Sequence, residues 1–396
     1  MSSSVPIVLA SAVRTPIGRF GGGLASVPAP ALGETAVRGA LMRAGVPADD
    51  VDLLIFGHAR QAGQRPNPAR QVAIRAGIPQ TATALTTNMA CASGMKALQQ
   101  AADEIRLGRA SVAVAGGMES MSQVPHILER MRDGYRLGDS KVVDLMYRDG
   151  FQCPLADMIM GETAELLAQE RKISRDAQDA FALASQEKAA AAIEADRFAC
   201  ELVPVTVPGR KGDVVIEADE HPRPGSSLQK LGKLAPVFDR ENGTVSAGNS
   251  SGITDGAAAF VLMSAEEAER RGVNPLAILL DSQTAGTDPK RMGMGPVPAT
   301  EQLLARNRWQ LDDFGLFELN EAFAAQVLAC LQELPIPSEL LNVNGGSIAL
   351  GHPIGCTGAR ILVTLVHEMR RRQVDRGLAT LCVSGGLGMT TALELC

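Results

Sequence analysis

The chain has 396 residues, enough for two core-forming domains, or two plus an insertion. A hydrophobic fraction of 45% and a charged fraction of 21% are ordinary for a globular protein, and a formal net charge of -6 argues against nucleic acid, whose phosphates call for a basic surface. No apolar run is long enough to span a bilayer, and Ser2, Ser3 and Ser4 start no basic-then-apolar leader, so neither a membrane span nor a secretory signal is expected.

In chain order, residues 5–10 read as a strand, followed by turn signals at Thr15-Pro16 and Gly21 to Gly23. Helical patterning covers 32–44, and residues 51–57 form a short apolar strand. Residues 92–107 place Met95, Leu98, Ala102 and Ile105 at helical spacing, and Gly108 ends the helix. Residues 111–115 are a buried strand opening into a turn at Gly116-Gly117. This β–α–β alternation indicates an α/β layered domain. The character changes after residue 121: charged turns, a helix over 176–195 with Ser174 as N-cap, and strands at 201–207 and 213–218. The α/β pattern resumes at 256–263, and a third block begins with a strand at 277–281.

The last block echoes the first. A glycine-rich loop from Asn344 to Pro353 enters a helix over 358–371, and a strand over 378–383 opens into Ser384-Gly385-Gly386. Residues 88–91 are likewise followed by a helix, a strand and Gly116-Gly117. Two similar halves are expected, with a site between them. The boundaries read as 1–121 with 252–273 for the first core domain, 122–251 for an inserted domain, and 274–396 for the second core domain.

Seven cysteines, at 91, 153, 200, 330, 356, 382 and 396, are odd in number, scattered and without CxxC spacing. They fit no disulfide framework and predict a reducing, cytoplasmic setting, where a Cys in a special local context is a candidate nucleophile. Cys91 lies in Asn88-Met-Ala-Cys91-Ala-Ser93-Gly94, where the chain enters a helix. Free N–H groups at a helix start stabilise a thiolate, and small neighbours admit a substrate. A small buried residue at a tight helix start reads equally well. His352 lies in a stretch with five glycines, where it could accept a thiol proton or simply occupy a structural turn. Cys382, at the end of a strand, is either a base or an ordinary core cysteine. Asn320, in Asn320-Glu-Ala-Phe323-Ala, either caps a helix or fixes a water or an oxyanion. Glu119 braces its loop by hydrogen bonds or acts in catalysis.

Together, the segments at 88–94, 116–122, 320–324, 345–358 and 382–388 resemble the thiolase family in order and interval, across essentially the whole chain. The resemblance implies two similar βαβαβαββ core domains in a five-layered α/β/α/β/α arrangement with an inserted loop domain. It implies ping-pong acyl transfer through Cys91, with His352 taking the proton of the Cys91 thiol and Cys382 moving the α-proton of an acyl-CoA. Asn320, through a water, and His352 would form one oxyanion hole; the backbone N–H groups of Cys91 and Ser384 would form another. By the same resemblance Met160, Arg223, Phe238, Ser251 and Phe323 line the path of coenzyme A, which is a substrate or product. No permanently bound cofactor and no metal are implied, and a homotetramer (or dimer) is expected.

Three positions depart from the family pattern. Ser384 stands where glycine is usual, Cys356 where a small residue is common, and Ile159-Met160 where acetyl-specific members often have His-Met. The leading activity is acetoacetyl-CoA formation and cleavage. The alternatives are a broad-chain 3-ketoacyl-CoA thiolase of fatty-acid breakdown, a non-catalytic CoA or lipid binder, a ketoacyl synthase and a zinc site. A ketoacyl synthase uses two histidines with one cysteine, unlike Cys91, His352 and Cys382. Zinc would accept those three ligand types, but the glycines and the Asn320 loop fit acyl transfer better.

Overall fold

Runs of small and branched apolar residues alternate with amphipathic helices, and the result is one mixed sheet of ten strands with helices on its faces. The structure is a computed structural model that describes residues 5–396; the Ser2 to Ser4 stretch read for a leader lies outside the described residues. One pairing pattern occurs twice. In the first half Leu53–Gly57 runs parallel to Val112–Ser120, which is antiparallel to Thr254–Ser264, which is antiparallel to Ile7–Arg14. In the second half Leu316–Leu319 runs parallel to Arg376–Val383, which is antiparallel to Leu387–Leu395, which is antiparallel to Ala277–Gly286. Ile7, Val8 and Leu9 pair with Leu279, Ile278 and Ala277 and join the halves edge to edge.

Successive strand residues face opposite ways, so each half buries two faces. Leu9, Phe260, Leu381 and Leu393 face inward onto the helices Ser93–Arg106 and Ile354–Arg372, which lie between the halves. Val8, Val114 and Val261 face outward beneath Ala29–Ala44 and Pro68–Arg75. Leu319, Leu378 and Ala392 do the same beneath Pro296–Asn307 and Ala324–Leu331. The layers therefore run α/β/α/β/α.

Residues 122–251 build no core of their own. Ala164 and Leu167 of helix Met160–Glu170 join the outer cluster of the second half, and Ala189 and Ala192 of Arg175–Glu194 pack against Ile17 and Leu350. The fully buried Arg14 ties this region to the first strand: its Nε donates to Glu201 Oε1 at 2.5 Å, and Nη1 and Nη2 donate to the two Asp219 oxygens at 2.7 and 2.8 Å. Fully paired in this way, the buried guanidinium escapes the penalty of an isolated charge.

Several element boundaries differ from the sequence reading. Helix Ala29–Ala44 starts earlier than 32 because Pro30 is tolerated in a first turn. The strand Val112–Ser120 runs straight through Gly116-Gly117, which form no turn. A Cβ on Gly116 would lie 2.0 Å from Ala258 O, and one on Gly117 would lie 2.1 Å from Gly355 O. These glycines serve close approach, whereas Gly385 and Gly386 do turn the chain, at φ +89 and +84. Asn320 is no helix cap; Phe323 holds that position.

The two central helices touch where glycine removes a side chain. A Cβ on Gly94 would lie 2.9 Å from the Cβ and N of Ala359, and one on Gly358 would lie 2.8 Å from Met95 N. Gly358→Ala should therefore lower stability by roughly 1–3 kcal/mol through overpacking against backbone. Gly256→Ala, whose added Cβ would first meet Pro353 at 3.5 Å, should cost less. Denaturant midpoints compare the two; equal midpoints would mean that the helices separate freely.

Candidate active site

Both central helices aim their N-termini at one place. Cys91 sits in the 3-10 turn Ala90–Ala92 that leads into Ser93–Arg106. Ala90 holds a left-handed φ of 42, costly for a residue with a side chain. The turn is held from both sides: Ala90 N–H donates to Asn88 Oδ1 at 3.0 Å, and Ser93 Oγ donates to Ala90 O at 2.7 Å and accepts from Met89 N at 2.9 Å. Asn88 Nδ2 in turn donates to Ala59 O at 3.1 Å. The half-buried Cys91 sulfur is thereby fixed in position. Burial pushes its thiol above the ordinary range, against the Arg60 charge and the N–H groups of Ser384 and Cys91 itself, which face the sulfur. The thiolate expected from the helix start is not the resting form; a base must take the proton.

His352 immediately precedes the other central helix. Gly351 turns the chain at φ +102, and His352 N–H donates to Gly252 O at 3.0 Å. Thr357 Oγ1 gives its proton to Pro353 O at 3.0 Å. It must then accept from His352 Nδ1–H, 2.7 Å away, which leaves Nε2 as a free acceptor. Burial, with the Arg360 and Arg60 charges, pushes the imidazole down to about 3, so it is neutral and able to take a proton.

Cys382 ends the strand Arg376–Val383 and is buried against Met292, Ala322, Met160 and Phe323. Burial, then the nearness of the Cys91 sulfur, raises its thiol well above the ordinary value. Each sulfur thus belongs to the same site, and the Ser384 N–H reaches Cys91 from the turn just after Cys382. Asn320 follows the strand Leu316–Leu319, accepts from Ser347 Oγ at 2.6 Å, and keeps its Nδ2 without a protein partner among the described residues.

Two family models match consecutive parts of the chain: "Thiolase, N-terminal domain" over residues 7–266 and "Thiolase, C-terminal domain" over residues 273–395. The chain belongs to the thiolase family. An acetyl-CoA acetyltransferase of Cupriavidus necator is 51% identical over 389 residues, covering 98% of this thiolase and 99% of the relative. One of Escherichia coli is 50% identical over 388 residues, 98% of each chain. The crystal structure of the Bacillus anthracis acetyl-CoA acetyltransferase superposes with a TM-score of 0.98 at 44% identity over the whole of both chains. Human mitochondrial 3-ketoacyl-CoA thiolase does so with a TM-score of 0.96 at 39% identity over 99% of each chain.

In this thiolase, His352, Met160, Phe238, Ser251, Phe323 and Ile354 line one cavity of about 240 Å³. Arg223 is not in it. It lines a neighbouring cavity of about 220 Å³ with His221, Ser226 and Lys230, and Ala247 borders both. Glu119 braces, as one of its two sequence readings had it. Its carboxylate accepts from Ala59 N, Arg60 N and Gly355 N at 3.2, 3.1 and 2.8 Å, so one side chain clasps both halves. Burial alone would raise Glu119, but His58, Arg60 and the Gly355 N–H hold it below the ordinary carboxylate range. Among the described residues, no group of three or more His, Cys, Asp or Glu side chains is placed to hold a metal ion. Sequence reasoning passed over Arg60, Ser347, Thr357 and Arg360. Arg360 did carry a signal: a lone charge in the apolar run Ala359-Arg360-Ile361-Leu362-Val363 has to be buried and used.

Two pH dependences follow. Alkylation of Cys91 by iodoacetamide should still be rising with pH at pH 9, because only the scarce thiolate reacts. A plateau below pH 8 would contradict a raised thiol. His352 is neutral at every pH above about 3, so the acid limb of kcat/KM should show no inflection at the ordinary histidine value of 6.5.

Proposed function

We propose that this thiolase interconverts two acetyl-CoA with acetoacetyl-CoA and free coenzyme A. One observation carries the reading: two neutral thiols in one buried site, beside a neutral imidazole with a free Nε2. Carbon–carbon cleavage next to a thioester needs both a nucleophile and a separate proton carrier on carbon, and two sulfurs with different partners meet that need.

In the cleavage direction Cys91 Sγ attacks the 3-keto carbon as its proton passes to His352 Nε2. The bond between the second and third carbons breaks, its electron pair forms the acetyl-CoA enolate, and Cys382 protonates that carbon. Coenzyme A then gives its thiol proton to the Cys382 thiolate and attacks the acetyl group, and Cys91 leaves and recovers its proton from His352. The N–H groups of Cys91 and Ser384 serve the oxyanion at the attacked carbon. Asn320, through a water, and His352 serve the enolate oxygen. Ser384 still supplies the backbone donor that glycine usually provides.

Acetyl-group chemistry is supported by the relatives near 50% identity and by Met160 and Phe323, which pack against Cys382 as a short floor. Coenzyme A fits along the two bordering cavities, with Arg223, Ser226 and Lys230 available to its anionic end. We read domain limits at 121, 251 and 273. A homotetramer is supported by exposed apolar residues in the 126–147 region, where Leu137 is 97% and Val142 64% exposed. A cytoplasmic setting is supported by seven free cysteines. A role in fatty-acid breakdown would require a broader chain range.

The decisive measurement is kcat/KM for thiolysis of acetoacetyl-CoA against a ten-carbon 3-ketoacyl-CoA. A preference for acetoacetyl-CoA is expected; preference for the longer chain would favour the fatty-acid reading, and no cleavage of either would favour a CoA binder. Cys91→Ala should form no acyl-enzyme. Cys382→Ser should still be acetylated by acetyl-CoA, yet lose about 100- to 10,000-fold in thiolysis, the scale of a lost acid–base group. Near-normal thiolysis in Cys382→Ser would remove Cys382 from the mechanism.

A further inference from the structure

Behind Asn320 lies a chain of buried polar groups that the reaction steps above leave unused. Asn320 is 1% exposed and Ser347 fully buried; the Ser347 hydroxyl donates to Asn320 Oδ1 at 2.6 Å. Ser347 Oγ in turn accepts from Arg360 Nη2 at 3.3 Å. Arg360 is fully buried in the helix that His352 precedes. Its Nη1 lies 3.6 Å from Glu318 Oε2, beyond hydrogen-bonding distance, and neither Nε nor Nη1 has a hydrogen-bond partner among the described residues.

An incompletely paired buried guanidinium is expensive to keep for stability alone. Burial pushes the Glu318 carboxyl up to about 8, against the Arg360 charge and with neighbouring carboxylates adding to the rise. A carboxyl raised in this way cancels less of the cation than an ordinary carboxylate would. The cation acts through Ser347 on the Asn320 amide oxygen, while the amide's Nδ2 donors remain free. A hydroxyl that accepts from a cation donates more strongly, and an amide whose oxygen accepts that bond is both oriented and polarised.

We propose that Ser347 and Arg360 are positioning residues that fix and polarise the Asn320 amide for the enolate oxygen. The proposal rests on the role given to Asn320 above. It separates the two halves of the reaction. Acetylation of Cys91 by acetyl-CoA develops its oxyanion at the Cys91 and Ser384 N–H groups, away from this chain. Carbon–carbon cleavage develops an enolate that this chain serves.

The test compares wild type, Ser347→Ala, Arg360→Lys, Asn320→Ala and the Asn320→Ala/Ser347→Ala double variant. Acetoacetyl-CoA thiolysis and the rate of Cys91 acetylation by acetyl-CoA, read by intact-protein mass, are measured for each. Ser347→Ala should lower kcat for thiolysis by about 10- to 100-fold, at or below the loss of an oxyanion donor, with KM within about twofold and Cys91 acetylation within about threefold. Arg360→Lys should show the same split. In the Asn320→Ala background, Ser347→Ala should add less than about twofold, because the group it positions is gone. Full additivity, or equal slowing of acetylation and thiolysis, would overturn the positioning role and leave general packing. Undiminished thiolysis in Asn320→Ala would instead overturn the reading of Asn320 itself. Should Ser347→Ala not fold, the split in Arg360→Lys decides.

Discussion

The site depends on a single steric constraint: two helices must lie close enough for their N-termini to share one pocket. Gly94 and Gly358 allow this, since a Cβ at either would press within 2.9 Å of the facing helix. Gly117 and Gly355 let the strand Val112–Ser120 approach the start of the second helix in the same way. Cys91 is delivered by one helix and His352 by the other. The Glu119 carboxylate then closes the gap by taking N–H groups from Ala59 and Arg60 on one side and Gly355 on the other. Packing of small residues, rather than any one polar contact, sets the distance between the reacting groups.

That closeness has an electrostatic result. Crowding the groups between two layers of sheet removes water, and burial dominates the titration of Cys91, Cys382 and His352. It raises both thiols and lowers the imidazole. All three rest neutral, so no standing charge must be desolvated when a large anionic substrate arrives. In the proposed mechanism, proton transfer waits until a carbonyl is in place to accept the electron pair, and the donors of Cys91, Ser384 and Asn320 meet the charge only as it forms.

Much of this was legible before any coordinates. The two similar halves follow from the repeated order of loop, helix and strand, and the paired strand pattern of each half bears the echo out, whereas the α/β/α/β/α layering was implied by the family resemblance. The family resemblance also named residues that meet in space: His352, Met160, Phe238, Ser251 and Phe323 share one cavity, though Arg223 does not. Other features were hidden because glycine has two uses that read alike in sequence. Gly116-Gly117 looked like a turn but serves contact between layers, whereas Gly385-Gly386 does turn. The lowered thiol expected of a helix start was outweighed by burial, which local sequence does not reveal. Thr357 and Arg360 were missed because their partners, His352 and Ser347, become neighbours only through the loop and helix geometry.

The edge-to-edge pairing of the chain also orders its history. The strand Ile7–Arg14 pairs with Thr254–Ser264 and Ala277–Gly286, both far down the chain. During synthesis it must therefore remain an apolar ribbon with both edges open until those later strands have left the ribosome. Such an edge is a template for stray pairing. The ribbon holds no aromatic side chain, and its alanines and serine make it less adhesive than one built wholly of large side chains. Small residues, which let the finished layers sit close, thus also lessen the hazard of a nascent chain whose first partner arrives late.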